Sequence, residues 1–252
     1  IIRNDLELSG FFKMPEDQSQ ANRLNMMDNR NGPIHFDRWE KMGVDHYLMG
    51  RLFEEQGSYR IKILMYDIAS RRLIMNREFS DRTERQRYLA HKISDTVINQ
   101  LKGVDGICRT KLLFVTEQIP GTKEIGIMDW DGFNAHPITE YGKIATTPSW
   151  GANGKEMYFT SYHGNRAAIY GMLLKEDESF NFHGGKSWTI AAYGGTNHSP
   201  TWSPSAKRLA MVLSRDGNSE IYTCNREGKD LRRVTKTPYT EGSPARSPEG
   251  RQ

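Results

Sequence analysis

A repeated run of serine or threonine, proline and tryptophan in the second half of the chain constrains its fold most. Thr147-Pro148-Ser149-Trp150 is followed by an apolar stretch, and so is Ser199-Pro200-Thr201-Trp202, 52 positions later. A third copy begins at Ser243-Pro244. Repeats of about 40–50 residues built from short strands and Gly, Pro or Asp turns are typical of β-propeller blades. The pattern therefore predicts a turn at each Ser/Thr-Pro motif, followed by the strands of a blade.

Short strands are predicted throughout this half, and turn residues separate them. No apolar period of 3.6 residues occurs after Thr110, so we expect no helix there. The predicted strands are Lys111–Thr116, Ile125–Met128, Ala135–Ile138, Lys155–Ser161, Ala168–Tyr170, Arg208–Leu213 and Glu220–Tyr222.

The first half shows both helical and strand periods. Apolar residues recur at every fourth position from Leu89 to Leu101, which predicts a helix over Arg82–Leu101. Alternating residues from Tyr59 to Met65 predict a strand. We also expect a helix capped by Gly10, a polar loop over 15–33, a helix over His35–Met42, and strands over Asp45–Phe53 and Leu73–Phe79.

These patterns predict an α+β N-terminal domain, a three-stranded meander plus helices, followed by an incomplete all-β propeller. We place the first domain at residues 1–102 and a linker at 103–110, where two glycines follow the helix. A partial propeller of about three blades occupies 111–252. Because the chain opens inside a helix and stops inside a third repeat, we expect both ends to be truncated.

Composition and spacing limit the classes of function. Basic and acidic residues are interspersed and the net charge is only +4, which argues against a dedicated nucleic-acid surface. No run approaches the ~20 apolar residues of a membrane span. Cys108 and Cys224 lack the spacing of a zinc site or a disulfide framework. The histidines lack metal-binding spacing, and neither a GxSxG elbow nor a phosphate-binding loop occurs, so no metal, cofactor or catalytic residue is predicted.

Two charged segments resemble functional sites, but a structural role is predicted for each. The segment from Asp129 to Asn134 resembles half of a calcium loop, but it lacks the distal glutamate, so a strand-to-strand turn is predicted. Mixed charges on the long helix predict a solvated face, with a docking surface as the alternative. They are Glu84, Arg85, Arg87, Lys92 and Asp95.

The candidate partner-binding residues stand beside the Ser/Thr-Pro motifs. Segments that enter the innermost strand of each blade would open on one central funnel, and loops on a rigid scaffold commonly carry binding residues. Thr147, Asn197, His198 and Glu241 offer directional hydrogen bonds there, and His198 is expected to titrate near neutrality. The alternative, that these are simple polar turns, stays open. The predicted structural residues of the blades are Trp150 and Trp202, wedged between blades, and Pro148, Pro200 and Pro244 at strand entry.

Several segments taken together resemble the TolB family of the Tol-Pal system. The amino-terminal domain joined to the propeller is the more specific signal, because Trp-Ser-Pro motifs occur in several propeller families. The resemblance covers essentially the whole chain. The matching segments are Leu8-Ser9-Gly10, Gly43-Val44-Asp45, Gly57-Ser58-Tyr59, the helix segment 88–95, the linker segment 101–110 and the turn 129–134.

The resemblance implies a non-enzymatic periplasmic scaffold, peripheral to the outer membrane and six-bladed when complete. It implies binding of the peptidoglycan-associated lipoprotein at the propeller funnel, and of TolA through an N-terminal segment absent here. Roles in outer-membrane integrity, cell division and colicin import follow from the same resemblance. Six blades of ~45 residues need ~270 residues, whereas 142 follow Thr110, and Arg246 stands where the third tryptophan is expected. The chain is thus expected to be a fragment.

A different class of function stays open at this point. Propellers with Trp-Ser-Pro repeats also occur in serine peptidases of the prolyl-oligopeptidase kind, whose hydrolase domain would lie beyond Gln252. A GxSxG elbow in downstream sequence would decide for this alternative.

Overall fold

The computed structural model describes residues 1–28, 33–203, 205 and 207–245. It divides into two compact units, Ile1–Arg109 and Thr110–Gln252. Arg246, at the expected third tryptophan position, lies outside the described residues. Within the described ranges no helix combines the length and apolar character needed to cross a bilayer.

An antiparallel sheet with strand order β1-β2-β3 forms the centre of the first unit. A two-residue turn joins β1 to β2, and its residues Gln56 and Gly57 both have positive φ, 28° and 82°, as a tight hairpin requires. The three strands confirm the predicted meander. Its elements are α1 (Ile2–Leu8), α2 (Gln18–Asp28), α3 (Phe36–Lys41), β1 (His46–Glu55), β2 (Ser58–Asp67), β3 (Arg72–Arg82) and α4 (Gln86–Lys102).

Helix α4 confirms the predicted apolar stripe. Leu89, Ile93 and Val97 are at most 2% exposed, and the helix packs against β3. The helix begins later than predicted, because Arg82 is the last residue of β3 and a short 3-10 turn follows it. The apolar pattern starts only at Leu89, so it identifies the helix without locating its first turn.

Asp95 contradicts the prediction of a solvated charged face on α4. Its side chain is buried, and its carboxylate accepts hydrogen bonds from the Cys108 N–H (2.8 Å) and from Arg109 Nε (2.6 Å). Gly106 lies so close that a Cβ there would stand 2.2 Å from Asp95 Oδ1. Asp95 therefore ties the segment 106–109 to the helix. A buried carboxylate with two donors of this kind cannot be distinguished in the sequence from a surface aspartate.

Helix α2 contradicts the loop predicted over 15–33. The Gln20 N–H donates to Asp17 Oδ1 (2.9 Å), so an aspartate caps the first turn of the helix. On the inner face only Leu24 and Asp28 are buried, and Asp28 accepts a hydrogen bond from Trp39 Nε1 (2.8 Å). One leucine and one buried carboxylate give too little apolar period to identify a helix. The part of the predicted loop at 29–32 lies outside the described residues.

Three antiparallel sheets make up the second unit, and within each the strands follow chain order, as in a propeller blade. In its described part no α-helix follows Thr110, which agrees with the sequence. The first sheet contains β4 (Lys111–Thr116), β5 (Glu124–Asp129) and β6 (His136–Pro137). The second contains β7 (Ala145–Trp150), β8 (Glu156–Ser161), β9 (Ala168–Glu176) and β10 (Phe182–Ala191). The third contains β11 (Asn197–Ser203), β12 (Arg208–Leu213), β13 (Glu220–Cys224) and β14 (Arg232–Arg233).

The turn predicted from the half-calcium-loop pattern is confirmed. The Gly132 N–H donates to the Asp129 carbonyl (2.9 Å), and the Asp129 N–H donates to the Phe133 carbonyl (2.9 Å). The Asp129 carboxylate is paired with Lys111 Nζ at 2.5 Å. This aspartate therefore stabilises the start of the first sheet.

Two apolar clusters fill the space between neighbouring sheets of the second unit. Trp150 packs against the cluster shared by the first and second sheets. Trp202 packs against the cluster shared by the second and third sheets, and its ring stacks on Tyr158 with centroids 5.6 Å apart. The two indoles thus occupy corresponding places, one sheet apart.

Candidate functional site

The first two Ser/Thr-Pro motifs lie inside strands, so the turns and loops predicted there are wrong, whereas residues 240–245 of the third motif lie outside the strands, as predicted. Thr147 belongs to β7 and Ser199 belongs to β11, which are the inner strands of their sheets. Each strand contains a bulge, since its pairing register shifts beside the residue before proline. The bulge lets the strand continue through the proline, because a residue left out of the ladder needs no partner. Pro204, also part of a predicted turn, lies outside the described residues.

The same backbone conformation recurs at all three motifs. Thr147, Ser199 and Ser243 have φ values of +50°, +53° and +47°, although none is glycine. A left-handed conformation at a β-branched residue such as Thr147 is uncommon and needs surrounding structure to hold it. The third repeat therefore begins with the conformation of the first two. The prolines that follow are Pro148, Pro200 and Pro244, of which Pro200 is buried and the other two half-buried.

Hydrogen bonds join the start of each following repeat to the sheet before it, and these bonds lie at a single end of the unit. The Ala145 N–H donates to the Lys123 carbonyl (2.7 Å), where β5 begins. The Glu241 N–H donates in the same way to the Ser219 carbonyl (2.9 Å), where β13 begins. The starts of the inner strands therefore lie beside the starts of β5 and β13 at this end of the unit, which we call the entry end.

Thr160 connects Thr147 of its own sheet to the neighbouring sheet. Thr147 is exposed, and its hydroxyl is 2.8 Å from the hydroxyl of Thr160 on β8. Thr160 Oγ1 also accepts a hydrogen bond from the Ser199 N–H (3.3 Å) in the next sheet. These bonds position the bulges of the second and third sheets relative to each other.

His198 is half-buried beside the bulge of β11. Its Nδ1 is 2.9 Å from the Ser199 hydroxyl. Burial lowers the pKa of the imidazole below its usual 6.5. The ring is therefore neutral at pH 7, and its titration lies further to the acid side than the sequence suggests.

Asn197 is not available to a partner, contrary to the expectation from the sequence. Its side chain is fully buried. Its amide oxygen accepts from the Tyr193 N–H (3.0 Å), and its amide nitrogen donates to the carbonyls of Tyr193 (2.8 Å) and Ala167 (3.2 Å). Asn197 holds the segment that leads into β11.

Glu241 begins the third repeat and is half-buried. Its Oε1 accepts a hydrogen bond from the Thr237 hydroxyl (2.8 Å). At the entry end the chain thus presents a hydroxyl from Thr147, a neutral imidazole from His198 and a carboxylate from Glu241. These groups can donate and accept directional hydrogen bonds.

Sequence reasoning missed two glutamate–threonine pairs at the same end. Thr139 Oγ1 donates to Glu124 Oε2 (2.5 Å) and accepts from the Ile125 N–H (2.8 Å). Thr235 Oγ1 donates to Glu220 Oε2 (2.6 Å) and accepts from the Ile221 N–H (2.9 Å). In both pairs 15 positions separate glutamate from threonine, and that repeated spacing is the signal that could have identified them.

Comparison with known proteins covers both units. A family model described as the TolB beta propeller domain matches residues 98–252, and a model of the TolB amino-terminal domain matches residues 1–74. The Tol-Pal system protein TolB of Desulfosudis oleivorans is 25% identical over 94% of this chain and 52% of its own length. That of Hydrogenovibrio crunogenus is 31% identical over 67% of this chain and 39% of its own length.

The match to solved structures concerns the fold. The crystal structure of TolB from Acinetobacter baumannii aligns with a TM-score of 0.70 and 23% identity, over 81% of this chain and 50% of that one. The chain spans about half the length of the curated relatives it matches. Because the propeller model alone covers more than half of the residues, the chain belongs to the TolB family.

Proposed function

We propose that this chain is part of a non-enzymatic scaffold of the periplasmic Tol-Pal system, and that its entry end receives the peptidoglycan-associated lipoprotein. The observation that carries the proposal is the recurrence of one left-handed conformation at three successive motifs. Hydrogen bonds through Thr160, one within the second sheet and one to the third, hold the first two of these positions before any partner arrives. A preformed site loses little conformational entropy on binding, which favours recognition of a folded partner.

Relatives called Tol-Pal system protein TolB support the assignment to this system. The surface chemistry supports a protein partner, since Thr147, His198 and Glu241 combine a hydroxyl, a neutral imidazole and a carboxylate. The proposal includes roles in outer-membrane integrity, cell division and colicin import, and contact with TolA through sequence outside this chain. Removal of the gene should then make cells leaky to periplasmic enzymes and sensitive to detergent.

A binding measurement tests the proposed site. The full-length protein is titrated with the lipid-free periplasmic domain of the peptidoglycan-associated lipoprotein encoded in the same genome. We expect His198→Ala to weaken binding by about tenfold, as for a residue near the centre of an interface. His183→Ala is the matched control, because His183 is an exposed histidine on β10. If both variants bind with equal affinity, His198 does not contribute to the site. If the unsubstituted protein does not bind, the proposed function is refuted.

A further inference from the structure

Exposed apolar side chains of the second unit are unevenly distributed between its two ends. Five lie at the entry end: Ile119 is 64% exposed, Tyr162 45%, Tyr239 76%, Val234 61% and Ile144 38%. Ile119 lies in the segment between β4 and β5, Tyr162 lies in the segment between β8 and β9, and Tyr239 lies in the segment that leads into the third repeat. Among the described turns at the opposite end, Phe133 is the large apolar residue exposed to a similar extent, 55%. Each sheet therefore contributes one apolar tip from a connecting segment to the entry end, and Ile144 and Val234 add exposed apolar surface directly beside strands β7 and β14.

Hydrogen bonds fix the backbone at each of these tips. The Thr122 N–H donates to the Ile119 carbonyl (3.0 Å), and the Tyr162 N–H donates to the Ile144 carbonyl (2.9 Å). The Tyr239 N–H donates to the Thr237 hydroxyl (3.2 Å). Three large side chains are thus held in water by a fixed backbone. These side chains take no part in the apolar clusters that the structure describes in the unit, and their concentration at one end of it indicates a contact surface.

We propose that Ile119, Tyr162 and Tyr239 are the apolar anchors by which the entry end binds a folded protein. The inference rests on the proposed function and names the residues that determine affinity at that site. Charge at the entry end supports a protein over a polyanion, because its connecting segments carry five basic and four acidic residues outside the glutamate–threonine pairs. Such balance gives a nucleic acid or another polyanion little attraction, whereas exposed tyrosines are typical of protein interfaces.

Substitution of all three anchors tests the inference in the full-length protein. The variant Ile119→Ser/Tyr162→Ala/Tyr239→Ala is compared with Phe133→Ala, which removes an exposed aromatic ring at the opposite end. The probe is the lipid-free domain of the peptidoglycan-associated lipoprotein. We expect the triple variant to bind at least about a hundredfold more weakly, and Phe133→Ala to bind like the unsubstituted protein. Thermal unfolding of both variants should match the parent, since the replaced side chains are exposed.

The outcomes separate the two proposals. If the parent binds and the triple variant binds equally well, the anchors are wrong while the proposed function stands. If the triple variant and Phe133→Ala weaken binding to the same extent, the entry end has no special role and the inference is overturned. If the parent does not bind the lipoprotein, the proposed function fails and this inference fails with it. Retained binding of RNA or heparin by the triple variant, at the parent's affinity and above that for the lipoprotein, would identify the partner as a polyanion instead.

Discussion

The second sheet of the propeller unit differs from its two neighbours in how it holds the segment leading to the next inner strand. In the first sheet Glu124 Oε1 accepts the Gly142 N–H (2.7 Å), and in the third sheet Glu220 Oε1 accepts the Thr237 N–H (2.9 Å). In the second sheet the matching N–H, that of Tyr193, donates to Asn197 Oδ1 (3.0 Å).

The side chains of the second sheet are adapted to this difference. Ala168 occupies the position of the two glutamates, beside Ile169 at the start of its strand. Ala192 occupies the position of the two threonines, because the residue before it, Ala191, pairs with Ile169 as Ile138 does with Ile125. Ala168 is buried and Ala192 is half-buried. An amide from the next strand thus replaces a carboxylate from within the sheet. Each sheet therefore needs one acceptor for this backbone N–H, and different residues of the sequence can supply it.

Among the substitutions that test this difference between the sheets, Asn197→Ala should reduce stability most. The substitution leaves the Tyr193 N–H and two carbonyls without their partner in a buried place, and each such group costs about 1–3 kcal/mol. We expect the free energy of unfolding of the second unit to fall by about 3 kcal/mol, measured by urea denaturation followed through tryptophan fluorescence. Asn99→Ala is the control, because Asn99 is exposed at the end of α4. Losses of equal size in the two variants would contradict the role of Asn197.

Transplanting the neighbours' pair should recover part of that loss. Ala168→Glu and Ala192→Thr, introduced together into the Asn197→Ala variant, supply the acceptor used by the first and third sheets. We expect recovery of about half the lost stability, because a new glutamate must also displace packed atoms. The same denaturation experiment measures it. If the added pair recovers no stability, and Ala168→Glu alone is as unstable as the combined variant, the sheets differ in backbone geometry as well as in side chains.

Much of this architecture could be predicted from the sequence, for reasons visible in particular residues. Trp150 and Trp202 are large, apolar and regularly spaced, so their repeat predicts the blades. Leu89, Ile93 and Val97 give α4 a clear period. Asn197 could not be recognised as buried, because an asparagine before a Ser-Pro motif has the same appearance whether it binds a partner or its own backbone. The amide is internal because Ala168 and Ala192 provide no glutamate–threonine pair in this sheet, and that correspondence is visible only when the sheets are aligned in three dimensions.

Thr139→Val and Thr235→Val should have smaller effects and sharpen the comparison between the first and third sheets. Each removes a hydroxyl that both donates to a glutamate and accepts a backbone N–H, while the side-chain shape is kept. We expect losses of about 1–2 kcal/mol, with the greater loss at Thr139, because Thr139 is 2% exposed and Thr235 is half-buried. Thr96→Val should change little, because the Thr96 hydroxyl donates only to the Lys92 carbonyl (2.8 Å) of its own helix and holds no other segment of the described chain. A greater loss at Thr235 would contradict the ranking by burial.

Acid should produce the smallest effect and act on the third sheet through Glu220. The hydrogen bond from Thr235, with further bonds from the Thr237 N–H and Arg233, lowers the pKa of Glu220 below its usual 4.5. A lowered folded-state pKa means that stability is present above pH 4.5 and lost as the pH falls through the folded value.

Glu220→Gln should remove that loss, so the stability of the variant relative to the parent should rise between pH 5 and pH 3. The effect of His198 falls in a different window, because its contribution begins to decline just below pH 6.5. Unfolding curves of the parent, Glu220→Gln and His198→Gln at pH 7, 5 and 3.5 separate the two groups. An identical pH dependence in the parent and Glu220→Gln would show that the third sheet holds its segment without the charge, in the manner of the second sheet.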